Sequence, residues 1–203
     1  MVVSPAKRRA VEALAIDDGI RIHFMPARKF KTAVFCALVR RTLTKEEATQ
    51  NAVLPGVLMR GCEKYNTFGK MQAAVEDLYG SVYDCMIVKK GEEQILEFYF
   101  DGLTVNDAFY NGLSFLKEAM LNPLAPNGAF KEEYFQGAIE NQKNEIESRI
   151  NNKAEYCKQK LFERMCEKER FSVYAGGSLD ELGGLTGKSL LAHYWKILRS
   201  SQI

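Results

Sequence analysis

Few residues in this chain are of types that do hydrolytic or metal chemistry, and their spacing limits what they can do. There are two histidines, His23 and His193, and five cysteines, Cys36, Cys62, Cys85, Cys157 and Cys166. A catalytic zinc takes about three protein ligands and an open water position, with a carboxylate nearby to accept the water's proton. Neither histidine has a second histidine or a spaced Glu-His pair beside it, so any zinc site would have to be assembled from distant parts of the chain. The cysteines form no C-x-x-C pair and are odd in number, which argues against a disulfide framework and against a zinc ribbon. They read as reduced, mostly buried thiols. No glycine-rich phosphate loop, nucleophile elbow or dinucleotide fingerprint is present, and Gly176-Gly177 and Gly183-Gly184 read as turn punctuation.

The elements that must position these residues follow from periodicity and turn chemistry. Val11 to Ile16, closed by Asp17-Asp18-Gly19 and followed by alternating Ile20, Ile22 and Phe24, predicts a hairpin with His23 on its exposed side. The run from Thr32 to Arg40 is apolar at Ala33 to Val39 and predicts a strand buried on both faces. Thr44 and Glu47 have capping-box spacing, so a helix starts there and carries Ala52 to Met59. Pro55 falls inside it and predicts a kink or a restart near Asn51, with Asn51 as the alternative cap of a separate helix. A helix over Thr67 to Tyr79 stops at Gly80, and strands at Val82 to Lys89 and Gln94 to Phe100 join around Gly91. Thr104 with Asp107 opens a helix running to Pro123, and a long helical region extends from about Lys131 to Glu169. Ser178 to Glu181 repeats the capping-box spacing, and a last helix spans about Lys188 to Arg199. This order predicts an α+β fold, an antiparallel or mixed sheet covered by helices on one face.

With 203 residues and 46% apolar content, the chain has enough material for one sizeable core. Residues 1–10 read as an N-terminal arm and 11–203 as a single domain. A net charge of +2 gives no field to recruit nucleic acid or an anionic membrane, and the short Lys7-Arg8-Arg9 cluster does not change that. The cysteine pattern, with no leader and no run long enough to cross a bilayer, points to a reducing cytoplasmic compartment, bacterial or similar.

Between Asn51 and Lys64 the chain reads N-A-V-L-P-G-V-L-M-R-G-C-E-K, which resembles the metal helix of M16 (insulinase-type) zinc peptidases with its ligands replaced. Val57 to Cys62 fits the second half of that motif. Ala52 then stands at the first histidine of H-x-x-E-H, Pro55 at the catalytic glutamate and Gly56 at the second histidine, and none of the three can bind a metal or move a proton. Further matches are Gly19 to Ile22, Phe30 to Thr32, Leu78-Tyr79-Gly80, Asn122-Pro123, Glu140 to Lys153, Gly176 to Leu182 and Tyr194-Trp195. The likeness is greatest to a bacterial branch lacking the zinc motif, some of whose members are named for an association with aminopentanol modification of elongation factor P.

The resemblance implies a metallohydrolase-like α+β domain that is the first half of a longer chain. It also implies no catalytic residues, no metal and no cofactor, zinc being expected only in catalytic relatives. The third-ligand position would be Glu145, with Glu140 second, each only a surface carboxylate once the histidines are gone. Catalytic relatives add substrate to a sheet edge, which corresponds here to the strand containing Tyr83, Asp84, Cys85 and Met86. The implied partners are a zinc-bearing homologue or a second copy, and an extended peptide. The implied function is a scaffold or substrate-holding half. The alternatives are an active peptidase with unconventional ligands and an accessory module in modifying a translation factor.

Overall fold

A computed structural model describes residues 11–27 and 29–203, so the expected N-terminal arm lies outside the described residues. Two strands, β1 (Glu12–Asp17) and β2 (Ile20–Phe24), form an antiparallel hairpin turned at Gly19, whose φ of 97° suits glycine. A three-stranded antiparallel sheet follows, made of β3 (Thr32–Thr42), β4 (Val82–Lys90) and β5 (Glu93–Leu103) in the order β3-β5-β4. The helices are α1 (Lys45–Leu58), α2 (Phe68–Asp77), α3 (Ala108–Leu121), α4 (Glu132–Ser148), α5 (Lys153–Met165), α6 (Leu179–Leu182) and α7 (Gly187–Ser200). The architecture is the predicted α+β arrangement, with an antiparallel sheet.

Strand alternation decides where the core sits. Phe35 lies opposite Phe100, which lies opposite Tyr83, and Cys85 lies opposite Phe98, so one sheet face presents aromatic side chains to α1, α3 and α7. Phe98, Phe100, Leu54, Leu58, Phe115, Leu190 and Tyr194 fill the space between them. The apolar run in β3 is buried on one face only: Val39 is fully buried, whereas Val34 is 53% exposed. Helices cover a single side of the sheet, and the pleat sends alternate residues of β3 to the open side.

Several local expectations change. α1 continues through Pro55 without restarting, and Asn51 is a buried side chain inside it, not a cap. Proline here removes one helical donor but leaves the next bond, from Met59 N–H to the Pro55 carbonyl, at 3.0 Å. Thr44 precedes α1 without a side-chain cap, and the Glu47 carboxylate, which would accept the Thr44 N–H in a capping box, is taken by Arg41 and by Lys196 (2.8 Å). The long helical region breaks at Arg149–Asn151 and restarts where the Asn152 side chain accepts the Glu155 N–H at 3.2 Å. The cysteines are less buried than expected: Cys62 and Cys85 are buried, Cys166 is half-buried, and Cys36 and Cys157 are exposed.

The hairpin is held to the sheet by residues after α7. The Gln202 carbonyl accepts the Arg40 N–H at 2.9 Å, the Ile203 carbonyl accepts the Arg21 N–H at 2.8 Å, and the Ile203 N–H donates to the Gly19 carbonyl at 2.8 Å. Those residues run antiparallel to β3 and join it to β2. Deleting Ser201–Ile203 is therefore expected to speed amide exchange at Arg21 and Arg40 by about tenfold or more, while Phe98 and Phe100 keep their protection. Site-resolved hydrogen exchange measures both.

Candidate functional site

Ala52, Pro55 and Gly56 lie half-buried on the side of α1 that meets α4. On α4 the buried residues are Phe135, Ala138 and Gln142, spaced to form one stripe. At Gly56 the two helices come so close that an added Cβ would sit 2.9 Å from the Ala138 Cβ and 3.4 Å from its Cα. Interhelical distances of roughly 8–10 Å are usual when ordinary side chains lie between helices. A glycine facing an alanine removes that spacing.

The geometry bears directly on metal binding. The M16 resemblance implies zinc in catalytic relatives, and the residues here do not fit it. A histidine at position 56 would need room that Ala138 occupies. Glu140 and Glu145, the positions expected for a third ligand, are both exposed; Glu140 lies off the buried stripe of α4, whereas Glu145, seven residues after Ala138, continues that stripe beyond its buried part. Among the described residues no group of three or more His, Cys, Asp and Glu side chains is placed to hold a metal ion.

One turn toward the start of α1 the chemistry changes from tight packing to a buried polar network. His193 Nε2 lies 2.7 Å from Asn51 Oδ1, the Asn51 amide donates to Gln94 Oε1 at 2.8 Å, and the Gln94 amide donates to the carbonyls of Ala175 (2.7 Å) and Ala48 (3.2 Å). An amide oxygen only accepts, so His193 Nε2 is the donor in this pair. Burial lowers its pKa from 6.5 to about 4; Glu47 opposes that shift, and Lys196 and Arg41 add to it. Burial alone would raise the Glu47 carboxyl, but hydrogen bonds from Lys196 and Arg41 outweigh it and hold the group below its ordinary value.

Nothing local in the sequence announces this network. Asn51 and His193 are 142 residues apart, and Asn51 and Gln94 are 43 apart. The one signal was a polar residue within an apolar helix face, at Asn51. His193 is a satisfied core histidine, while His23 is exposed on β2.

Of the expected peptide edge, β4 is an outer strand that pairs only with β5 among the described residues. Tyr83 and Cys85 point into the core, Tyr83 edge-on to Phe115 with ring centroids 5.1 Å apart. Burial raises the pKa of both groups well above their ordinary values. Asp84 and Met86 point to the open side, and Asp84 Oδ1 accepts the Cys85 N–H at 2.8 Å.

No protein-family model matches the chain. It is 24% identical over 193 residues to the probable inactive metalloprotease YmfF of Bacillus subtilis (strain 168), a match covering 91% of this chain and 45% of that protein. A conserved protein from Enterococcus faecalis V583 has a crystal structure similar to this fold, with TM-score 0.88 and 24% identity over 95% of this chain and 47% of that one. The peptidase M16 inactive domain from Pseudomonas fluorescens gives TM-score 0.71 at 14% identity, covering 91% and 42% of the two chains. Pitrilysin gives 0.63 at 17% identity, covering 95% of this chain and 20% of that one. The fold is thus that of M16 peptidase domains, and the chain spans about half the length of the first relatives it matches.

Two outcomes follow from the site geometry. Gly56→Ala is expected to cost up to about 2 kcal/mol in chemical denaturation, because overpacking of about 1–3 kcal/mol offsets the helix-propensity gain of about 1 kcal/mol. Gly137→Ala, in the same helix pair but with nothing within 4 Å of an added Cβ, is the control and should gain stability. The depressed His193 pKa means the unfolded chain binds the extra proton, so this stabilisation is full above about pH 6.5 and is lost as pH falls toward about 4. The loss is up to about 3 kcal/mol. His193→Gln, which keeps a donor for Asn51, is expected to flatten the stability profile over that window.

Proposed function

We propose that this chain is a non-catalytic M16-type domain that pairs with a zinc-bearing M16 subunit, helps wall its chamber and holds an extended peptide along β4. The observation that carries this reading is the Gly56–Ala138 contact: the helix pair that would carry the metal is packed shut within an otherwise M16-like fold. The names of the relatives support it, one a probable inactive metalloprotease and another a peptidase M16 inactive domain. Strand addition uses main-chain hydrogen bonds and needs no metal, so the outer edge of β4 keeps that capacity whatever α1 has lost. The alternative of an active peptidase built on Glu140 or Glu145 is opposed by the Gly56–Ala138 contact and by the lack of a histidine pair opposite those carboxylates. Free thiols suit a reducing compartment such as the cytoplasm, and among the described residues no helix is long and apolar enough to cross a membrane.

The test is reconstitution. The purified chain is expected to carry no stoichiometric zinc by metal analysis and to leave unstructured peptides uncleaved with zinc added. Mixed with a zinc-bearing M16 protein from the same cell, it is expected to co-elute as one species and to give chelator-sensitive cleavage. One zinc per chain, or cleavage by the chain alone, overturns the proposal; so does recovery from the source cell of a translation-factor modification enzyme and no M16 homologue.

A further inference from the structure

Deepening the non-catalytic reading, we propose that the joint between α1 and α4 is fastened by a strap of this chain's own backbone, residues 173–178, and that restoring the missing ligands would not restore a metal site. A bound ion that takes ligands from two helices is a cross-link as well as a reagent. Without an ion the joint rests on packing and on the hydrogen bonds that cross it.

The strap supplies such bonds at several points. Gln142 of α4 donates from Nε2 to the Gly176 carbonyl at 2.9 Å, and Thr49 of α1 accepts the Ser178 N–H on its hydroxyl at 3.0 Å while donating to Glu181. Gly177, at φ 78°, lies so tightly on Thr49 that a side chain there would collide with it. Gln94 of β5 holds the Ala175 carbonyl, and Lys89 of β4 donates to the Val173 carbonyl at 2.8 Å. At its start the strap is clamped by Arg149, whose guanidinium stacks on the Tyr174 ring at 3.4 Å. Thr49 and Gly56 lie seven residues apart on one stripe of α1, and Gln142 and Ala138 four apart on α4. The strap closes one end of the joint and the glycine–alanine contact the other, with Ala52 between them. All five anchoring side chains, on two strands and two helices and at the end of α4, converge on carbonyls, one amide and one ring of a six-residue segment.

Such a joint has no volume for an imidazole, an ion and a carboxylate in a row. The most generous restoration places ligands on both stripes: Ala52→His, Pro55→Glu and Gly56→His on α1 with Gln142→Glu on α4. Isothermal titration with zinc and elemental analysis of this quadruple variant are expected to show no stoichiometric binding at micromolar zinc, with a melting temperature below that of the parent and unchanged by zinc. One zinc per chain, with a melting temperature raised by zinc, overturns the inference.

The parent fold supplies a second arm that does not depend on whether the quadruple variant folds. Thr49→Ala and Gln142→Ala are each expected to speed amide exchange at Gly177 and Ser178 by about tenfold or more while leaving β4 and β5 unchanged. Unchanged exchange in the strap overturns the inference. Both readouts use the chain alone, so this idea can fail while the partner experiment succeeds, and the reverse.

Discussion

The spacing between α1 and α4 is the constraint on which the rest of the structure depends. An α-helix buried on several sides must match every neighbour at once, and α1 meets the sheet through Leu54 and Leu58, α4 through Gly56, and α7 through Asn51. Interiors are packed as densely as organic crystals, so moving α4 outward by even a few ångströms would open a void beside Phe135 and Ala138 and break the Gln142 bond to the strap. A hydrolase cleft must stay open to water and substrate. Here the same helix pair is used for cohesion, and these two uses exclude one another at Gly56.

The polar network beside that contact obeys the same logic of complete satisfaction. His193, Asn51, Gln94 and Gln142 are all buried, and each has a partner at hydrogen-bonding distance. A buried amide without a partner costs on the order of 1–3 kcal/mol, which is why such groups come as a set. The set also discriminates between folds: it is satisfied only when α1, β5, α7 and the segment after α5 take these positions together. Glu47 extends it to the surface, bonded by Arg41 and Lys196, at the point where α1 leaves β3.

What could be read from the sequence was whatever has a short period. Alternation in β2, the hairpin turn at Gly19, the helix stop near Gly80 and the β4–β5 turn at Gly91 are all local, and each element lies where its pattern puts it. The α4 facing was legible too, in principle: Phe135, Ala138 and Gln142 recur at helical spacing, Glu145 continues that stripe and Glu140 falls off it. Matching a motif by position drew attention to the carboxylates, whereas helix phase also marks Gln142, the buried polar residue of the stripe. Pro55 illustrates the opposite failure. Its local cost predicts a break, but burial of Val53, Leu54, Val57 and Leu58 on both sides of it holds α1 in one piece. Long-range pairs such as Asn51 with His193 carry no signal that a single chain can show.

The uncovered side of the sheet is built differently from the covered side, and the difference bears on what can meet it. Across the three strands Met86, Glu97 and Leu38 form one row, and Val82, Asp101 and Val34 form another, so each row has a carboxylate flanked by two apolar side chains. Helices of this chain cannot pack there without burying those charges, which costs far more than the flanking apolar contacts return unless a cation or several donors meet them. Between those rows lie Asp84 on β4, Tyr99 on β5 and Cys36 on β3, so an acid also breaks the apolar run of β4, and contiguous apolar strips of the kind that invite unselective association are interrupted. Closure of the α1–α4 joint, on the opposite side of the sheet, leaves this face untouched.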